Sequence, residues 1–291
     1  MRVLLSSNPY RDRGLKAALR ARDILRSAGA ETALCLPFAL EQGSHVELPK
    51  GQDYRNMQEE LKNADLLICF GGDGTILHAA KDANAHSIPI LGVNLGSVGF
   101  MAELEQGELE ALARLPERKY SIEHRMMLDV TVRRGREVLT RDVALNDAVI
   151  TKGAVARVID LTLRGDGVPI YSFSGDGIIL ATPTGSTAYS LSAGGPVVEP
   201  AMDCLIYTPI CPHSLFSRSV IFGGSTHLTV DIPRNLGRLF LTVDGEDPVE
   251  LRSGYRLSFY RSQRAARFVK LTGSDFYDRL NQKIIEVQGY M

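Results

Sequence analysis

The sequence has no long hydrophobic run and no excess of charge of either sign. Its apolar runs, such as 66–70, 88–93 and 178–181, fall far short of the roughly 18 residues that a membrane span requires. The 33 Lys+Arg and 34 Asp+Glu residues give a formal net charge of −1. A balance of this kind argues against nucleic acid or an anionic lipid surface as the main partner.

The four cysteines show no Cys-x-x-Cys spacing. Cys35 and Cys69 lie inside apolar, strand-like runs, which favours buried thiols over a metal site. The apolar stretch that follows Met1 and Arg2 ends at Ser6, which is too short for the hydrophobic region of a secretory signal. We therefore expect a cytoplasmic protein.

The pattern of strands and helices predicts two domains of different class. A chain of 291 residues has room for two domains of about 100–200 residues each. Strand-like and helix-like segments alternate over the first hundred residues, which predicts a parallel sheet covered by helices on both faces. The predicted strands are 2–6, 32–37, 64–70 and 88–94, and the predicted helices are 14–28, 54–63 and 76–83.

The pattern changes after a predicted helix near 108–114 and the break at Pro116. Most segments from 121 to 271 alternate or are rich in β-branched residues, with Gly, Pro and Asp turns between them, which predicts strands. We expect a Rossmann-like α/β domain with a parallel sheet over 1–120 and a mostly β domain over 121–272. A last helix, 275–287 within the segment 273–291, is expected to pack back on the first domain.

A glycine-rich turn follows the buried strand 64–70. Gly71, Gly72 and Gly74 let backbone amides approach phosphate oxygens with no Cβ in the way. The amino end of the next helix, expected at Thr75, adds unpaired donors and a favourable dipole. No Lys-Ser/Thr follows as in a Walker A motif, and the first strand does not lead into Gly-x-Gly-x-x-Gly. These absences make a dehydrogenase less probable.

Asp73 is the informative residue of this turn, because phosphates repel a carboxylate unless its charge has a use. It can accept a proton from an attacking hydroxyl, or hold Mg²⁺ directly or through water. The alternative is that Asp73 only caps the following helix.

The next predicted strand leads into a second polar segment, Asn94 to Phe100. Both segments are expected at the carboxyl edge of one sheet, where ligands of α/β folds bind; the alternative for the second is a flexible turn between domains.

Two further clusters lie in the β domain. Asn146 and Asp147 interrupt an apolar stretch, so at least one of them needs a partner when buried. An aspartate can accept two hydrogen bonds from the vicinal hydroxyls of a ribose, and an asparagine amide can pair with an adenine edge; a β-bulge is the alternative.

The segment 175–196 leads from a strand into a hydroxyl- and glycine-rich turn and a short helix. Ser186 or Thr187 is expected to cap that helix, and Tyr189 offers a flat apolar face with a polar tip.

These clusters, in this order, resemble the NAD kinase family, which phosphorylates the 2′-hydroxyl of the adenosine ribose of NAD. The resemblance covers most of the chain. The turn 71–75 is weak by itself, because diacylglycerol and sphingoid kinases share it. The segment 175–196 together with Asn146, Asp147 and 212–215 is specific. The family combines an α/β amino-terminal domain with a β-rich carboxyl-terminal domain.

The resemblance implies a role for individual positions. Asp73 would be the proton acceptor, and no residue is assigned as a metal ligand. Many relatives have glutamine where this chain has Glu246, and position 246 is kept in the predicted pocket. The predicted nucleotide contacts are Gly71, Gly72, Gly74, Thr75, Asn94, Phe100, Asn146, Asp147, Arg157, Ser174, Asp176, Thr184, Thr187, Ala188, Tyr189, Ser190, Leu191, Ser192, Cys211 and Glu246.

The resemblance also implies ATP as phosphoryl donor, NAD as acceptor, a divalent metal (Mg²⁺) and a homodimer or homotetramer. Phosphoryl transfer depends on in-line placement and neutralisation of charge, and the turn 71–75 has no lysine, so the metal would supply much of the neutralisation. One alternative function is a lipid kinase, which gives no account of Asn146 and Asp147. Another is a non-catalytic dinucleotide sensor, which would not need Asp73.

Overall fold

The computed structural model describes residues 1–38, 46–97, 99–153, 158–213, 218–233, 238–273 and 275–289. The chain divides into two units, Met1–His124 with Ala266–Met291, and Arg125–Ala265. They are called the α/β unit and the β unit below. Among the described residues, no helix combines the length and hydropathy that a membrane span requires.

The α/β unit alternates strands and helices, as the sequence predicts. Its first strands are β1 (Arg2–Ser7), β2 (Glu31–Cys35), β3 (Tyr54–Arg55), β4 (Leu66–Gly71), β5 (Ile90–Asn94) and β6 (Leu104–Glu105). Its first α-helices are α1 (Lys16–Ser27), α2 (Met57–Glu60) and α3 (Asp73–Ala85), and 3-10 helices cover Arg13–Leu15, Leu61–Asn63 and Gln106–Arg114.

The remaining strands lie in the β unit, except that β7 begins and β18 ends in the α/β unit. They are β7 (Ser121–Arg134), β8 (Glu137–Ala144), β9 (Asp147–Lys152), β10 (Ile159–Gly165), β11 (Val168–Gly175), β12 (Gly177–Ala181), β13 (Cys204–Ile210), β14 (Val220–Gly223), β15 (Leu228–Asp231), β16 (Leu239–Val243), β17 (Val249–Leu251) and β18 (Tyr255–Lys270). A 3-10 turn (Thr184–Thr187) and α4 (Tyr189–Ser192) follow β12. The last helix, α5 (Phe276–Gly289), belongs to the α/β unit.

The α/β unit has a parallel sheet in the order β3-β2-β1-β4-β5-β6. All six residues of β4 are buried, which explains why its sequence is continuously apolar and does not alternate. Residue Gly71 at the end of β4 is opposite Asn94 at the end of β5. The two polar segments that follow these strands therefore leave the same edge of the sheet, as predicted.

The β unit is built from two layers of strands around one core. One layer has the antiparallel order β14-β13-β12-β9-β16-β17. The other contains β11-β10-β15-β18, with β7 beside β18 and β8 beside β7. Inward-facing side chains from both layers form the core, among them Ile150, Ile178 and Leu241 from the first and Leu161, Val230 and Phe259 from the second. The predicted combination of an α/β domain and a mostly β domain is confirmed.

Several predicted element bounds differ from the structure. The predicted helix 54–63 begins as strand β3, and α2 starts only at Met57, because the side chain of Asn56 accepts a hydrogen bond from the amide of Glu59 at 3.2 Å and caps it. The helix predicted near 108–114 is a 3-10 helix that begins at Gln106, where Glu105 and Glu108 form a capping box. The predicted helix 76–83 begins three residues earlier, at Asp73.

Candidate active site

The glycine turn is the end of β4 and the first turn of α3. Gly71 is the last residue of β4, and a Cβ there would lie 2.6 Å from the Cβ of Thr75. Glycine is therefore required at position 71 by packing against Thr75, whose hydroxyl also accepts a hydrogen bond from the side-chain amide of Asn8 at 3.0 Å. At Gly72 and Gly74, by contrast, an added Cβ would meet no atom within 4 Å. These two glycines leave open space beside the amino end of α3, as an anion site requires.

Both carboxylate oxygens of Asp73 bind the second polar segment. Oδ2 accepts the amide of Phe100 at 2.9 Å and Oδ1 the amide of Met101 at 3.1 Å. A Cβ at Gly99 would lie 2.3 Å from Oδ1 of Asp73, so the segment approaches closely only because this residue is glycine. The side chain of Asp73 does not cap α3, whose N-cap is Gly72, and the alternative of a helix-capping aspartate is wrong.

Asn94 and Phe100 have partners within the α/β unit. The buried side chain of Asn94 donates to Glu105 at 2.9 Å and accepts the amide of Gly96 at 3.2 Å. The ring of Phe100 lies 6.1 Å from that of Phe276 on α5. In this structure both side chains shape the segment that contacts Asp73.

In the β unit, Asn146 lies between β8 and β9, and Asp147 begins β9. Only 6% of Asp147 is exposed, and within the described part of the chain its carboxylate has no hydrogen-bond or ion-pair partner. Oδ1 of Asn146 is also buried and without a partner there. Buried polar groups are nearly always hydrogen-bonded, so two adjacent side chains without partners point to a ligand.

Asp244 holds the backbone of this pair. Its carboxylate accepts three successive amides, from Leu145 at 2.7 Å, Asn146 at 2.8 Å and Asp147 at 3.1 Å. Its own amide donates to the carbonyl of Asp147 at 2.9 Å.

Burial, and to a smaller extent the charge of Asp244, raises the pKa of Asp147 to about 7. A ligand hydroxyl that donates to Asp147 would stabilise its ionised form.

The raised pKa of Asp147 predicts a pH-dependent stability without ligand. The folded state keeps a proton that the unfolded chain releases near the ordinary value of 3.8, so folding is favoured at low pH and this contribution is lost as pH rises from about 4 to about 7. For Asp147→Asn, which cannot ionise, we expect the free energy of unfolding relative to the unsubstituted chain to increase by about 2–3 kcal/mol between pH 5 and pH 8.

Urea unfolding of both proteins at several pH values measures this difference. The matched control is Asp160→Asn, the same substitution on the exposed side of β10. A constant difference between Asp147→Asn and the unsubstituted chain would mean that Asp147 is already ionised in the folded protein at pH 5.

The segment after β12 is dense in small residues because two backbones approach each other. A Cβ at Gly185 would lie 2.1 Å from the carbonyl oxygen of Asn146. A Cβ at Gly195 would lie 2.3 Å from Oγ of Ser190, which is buried and bonded to the hydroxyl of Thr208 at 2.8 Å. Glycine at 185 thus brings this turn against the Asn146–Asp147 pair.

The predicted cap of α4 is wrong. The hydroxyl of Ser186 bonds both the amide and the carbonyl of Val198, at 3.0 and 3.1 Å, and that of Thr187 bonds the carbonyl of Thr184 at 3.3 Å. Helix α4 has Ala188 as N-cap and no side-chain cap. Tyr189, Leu191 and Ser192 are exposed, Thr187 and Ala188 are half-buried, and the hydroxyl of Thr184 is buried without a partner among the described residues.

The other predicted contacts lie at strand ends of the β unit. Asp176 forms an ion pair with Lys152 at 2.6 Å. The carbonyl of Ser174 accepts the amide of His213 at 2.8 Å, and the exposed Cys211 has a positive φ of 44°. Glu246 is half-buried and its amide donates to Val243 at 3.0 Å. Arg157 lies outside the described residues.

Matches to known protein domains identify the family of this chain. Residues 26–120 match the ATP-NAD kinase N-terminal domain, and residues 145–271 match the ATP-NAD kinase C-terminal domain. The chain belongs to the NAD kinase family.

Curated relatives and solved structures agree with this membership. The chain is 37% identical to an NAD kinase of Acetivibrio thermocellus over 98% of both chains, and 45% identical to that of Symbiobacterium thermophilum over 76% of this chain and 78% of the relative. It matches the crystal structure of yeast NADH kinase complexed with NADH, with a TM-score of 0.82, 27% identity, and coverage of 97% of this chain and 86% of the other. An NAD kinase from Archaeoglobus fulgidus in complex with ATP matches with a TM-score of 0.75, 27% identity, and coverage of 97% and 98%.

Membership of the NAD kinase family confirms the predicted function, transfer of a phosphoryl group from ATP to NAD. It supports this function over a lipid kinase and over a non-catalytic dinucleotide sensor. The yeast structure contains NADH and the Archaeoglobus structure contains ATP, so the two nucleotide classes expected from the resemblance occur among structural relatives.

Two residues that the sequence does not single out contact the predicted site segments, one in each unit. Asp244 binds the amides on either side of Asn146, and Arg279 on α5 binds the segment that contacts Asp73. The signal for Asp244 was an aspartate before Gly245 in a turn between two predicted strands. For Arg279 no local signal existed, because its contacts lie more than 170 residues away along the chain.

Proposed function

We propose that Asp73 is the proton acceptor of the reaction and that the turn around Asn146 and Asp147 binds the adenosine half of NAD. The observation that carries the second role is the buried carboxylate of Asp147, which has no partner within the described part of the chain. An ionised Asp147 can accept a hydrogen bond from the 3′-hydroxyl of the ribose, which leaves the proton of the 2′-hydroxyl for Asp73, and Oδ1 of Asn146 can accept from the amino group of adenine.

The proposed reaction transfers the γ-phosphoryl group of ATP to the 2′-hydroxyl of the adenosine ribose of NAD. The 2′-hydroxyl oxygen attacks the γ-phosphorus of ATP, its proton passes to a carboxylate oxygen of Asp73, and the bond from the γ-phosphorus to the bridging oxygen breaks to release ADP. Asp73 suits this role because the amides of Phe100 and Met101 use one hydrogen bond on each oxygen. Each oxygen keeps a further lone pair that can accept the proton.

We propose that the triphosphate binds at the amino end of α3. Gly72 and Gly74 leave space beside the unpaired amides of its first turn. Arg11 follows the neighbouring strand β1, and its guanidinium lies 4.0 Å from the position of a Cβ on Gly96. A cation at this edge of the sheet supports binding of an anionic donor. Arg11 lies outside the turn 71–75, which itself has no lysine.

The residues at this edge fit a Mg²⁺ ion that arrives with the nucleotide. Among the described residues there is no group of three or more His, Cys, Asp or Glu side chains that could hold a metal ion. Mg²⁺ commonly binds through one or two carboxylates, water and substrate phosphates, and Asp73 is the carboxylate beside the open glycines. When bound, Mg²⁺ would neutralise charge on the phosphate oxygens.

A homodimer or homotetramer remains part of the proposal. Exposed apolar side chains of the β unit support it, since they would gain from burial in an assembly; they are Leu191, Val197, Met202 and Ile221. Light scattering coupled to size-exclusion chromatography of the full chain measures the mass directly.

The activity is tested with the purified chain, NAD and MgATP, and a cycling assay that responds to NADP only. We expect NADP to form with MgATP and its formation to stop when EDTA removes the divalent metal. Parallel reactions with NADH as acceptor and with inorganic polyphosphate as donor determine the substrate preference. Absence of NADP with every donor would contradict the proposed reaction.

A further inference from the structure

The segment from Gly99 to Glu103 contacts Asp73 on one side and the carboxyl-terminal helix on the other. On the first side, its amides at Phe100 and Met101 bind the two oxygens of Asp73. The same segment is packed closely against the sheet, since a Cβ at Gly92 of β5 would lie 3.0 Å from the Cα of Ala102. A displacement of this segment therefore changes the hydrogen bonds that orient Asp73.

Arg279 of α5 holds the opposite side of the segment. Its side chain is buried, with 7% exposed. One guanidinium nitrogen donates to the carbonyl of Glu103 at 2.9 Å and another to the carbonyl of Gly99 at 3.5 Å. The two carbonyls flank the two amides that bind Asp73, so a single side chain fixes both ends of the peptide that positions the carboxylate.

Two further contacts tie the segment to the carboxyl-terminal end of the chain. The ring of Phe276 on α5 lies 6.1 Å from that of Phe100. The buried carboxylate of Glu103 accepts the amides of Leu271 and Thr272, both at 2.8 Å, and pairs with Lys270 at 2.7 Å. The join between β18 and α5 is thereby anchored to the same peptide that Arg279 contacts.

The chemistry of arginine suits this task. A guanidinium remains charged in proteins, and its planar fork presents several donors in fixed directions. A lysine ammonium is a point charge on a flexible stem and cannot hold two separated carbonyls with the same geometry. Within the described part of the chain, Arg279 has no carboxylate partner, so its hydrogen-bonding capacity is directed at these carbonyls.

We infer that Arg279 is a positioning residue for the phosphoryl transfer, which acts on Asp73 through the backbone of Gly99 to Glu103. This inference rests on the proposed role of Asp73. A positioning residue affects turnover while leaving nucleotide binding in the β unit intact. A shift of about 1 Å in a catalytic group can cost about 100-fold in rate, so a residue remote from the substrate can have a large effect on kcat.

The test compares Arg279→Gln and Arg279→Lys in the full chain, with kcat from the NADP assay and the dissociation constant for NAD from calorimetry. We expect kcat to fall by about 10- to 100-fold in Arg279→Gln and less in Arg279→Lys, while the dissociation constant changes less than about twofold. The matched control is Leu280→Ala, the half-buried neighbour of Arg279 on α5. It should lower stability without lowering kcat at a temperature where it is folded.

A folded Arg279→Gln with unchanged kcat would overturn the inference, and so would a kcat that falls no more than in Leu280→Ala. If Arg279→Gln does not fold, Arg279→Lys tests the inference: a kcat below that of Leu280→Ala supports it, and a kcat equal to that of the unsubstituted chain overturns it. Asp73→Asn in the same assay separates the role of Asp73 from that of Arg279. If its turnover is unchanged, the proposed role of Asp73 fails; if only Asp73→Asn is impaired, the role of Arg279 alone fails.

Discussion

Replacing Asp73 by asparagine is expected to lower kcat by about 100- to 10,000-fold, the range that general-base catalysis supplies. The asparagine amide has nearly the shape of the carboxylate but cannot accept the proton of the 2′-hydroxyl at neutral pH. The dissociation constant for NAD, which depends mainly on the β unit in this proposal, should change by less than about threefold, equivalent to about 0.7 kcal/mol. Initial rates of NADP formation and calorimetry with NAD measure the two quantities.

Part of the expected loss of kcat comes from the segment Gly99 to Glu103, because Asp73 accepts hydrogen bonds from two of its amides. Asparagine has a single acceptor oxygen, so either the amide of Phe100 or that of Met101 loses its partner. The matched control is Asp82→Asn, which makes the same charge change on the same helix, where Asp82 accepts a bond from Gln58 at 2.7 Å. Its kcat should stay within about twofold, since surface substitutions rarely disturb a distant site. Turnover of Asp73→Asn close to that of the control would rule out Asp73 as the base.

The arrangement around Asp73 was largely predictable from the sequence. A continuously apolar strand before the glycines indicates that β4 is buried on both faces, as in a parallel sheet, and adjacent parallel strands end at one edge of their sheet. That rule places the segment after Asn94 beside the turn after Gly71. It does not reveal that the amides of Phe100 and Met101 bind Asp73, since this contact depends on the close approach at Gly99.

Errors in the prediction come from contacts between residues that are distant in sequence. Ser186 has the residue type of a helix cap, but its hydroxyl bonds the backbone of Val198. A Cβ at Gly185 would lie 2.1 Å from the carbonyl oxygen of Asn146, and one at Gly195 would lie 2.3 Å from Oγ of Ser190. Local sequence patterns give residue type and periodicity, and they do not identify a partner on another strand.

The partners of Asp244 are also distant in sequence, almost 100 residues away, so local sequence patterns do not identify them. Replacing Asp244 by asparagine should lower the free energy of unfolding by about 2–4 kcal/mol and weaken NAD binding by about tenfold or more. The carboxylate accepts the amides of Leu145, Asn146 and Asp147. An asparagine that keeps its oxygen on two of them turns its own N–H groups toward the third, which leaves two donors facing each other.

One effect of Asp244→Asn raises the free energy of unfolding, but it is smaller than the loss of the hydrogen bond. Removing the charge of Asp244 relieves its repulsion of Asp147, yet burial is the larger cause of the raised pKa of Asp147 and remains in the variant. Hydrogen bonds to a charged acceptor contribute about 1.5–3 kcal/mol each, so loss of one bond with an opposed donor outweighs the relief. NAD binding weakens because the three amides fix the backbone from which Asn146 and Asp147 project.

Asp247→Asn is the matched control for Asp244→Asn, since Asp247 is exposed and lies in the same turn region. It should change the free energy of unfolding by less than about 0.5 kcal/mol and leave the dissociation constant for NAD unaltered. Urea unfolding and calorimetry on both variants distinguish the cases. If Asp244→Asn unfolds at the same urea concentration as Asp247→Asn, the three amide bonds contribute no net stability, and a different contact must hold the Asn146–Asp147 turn.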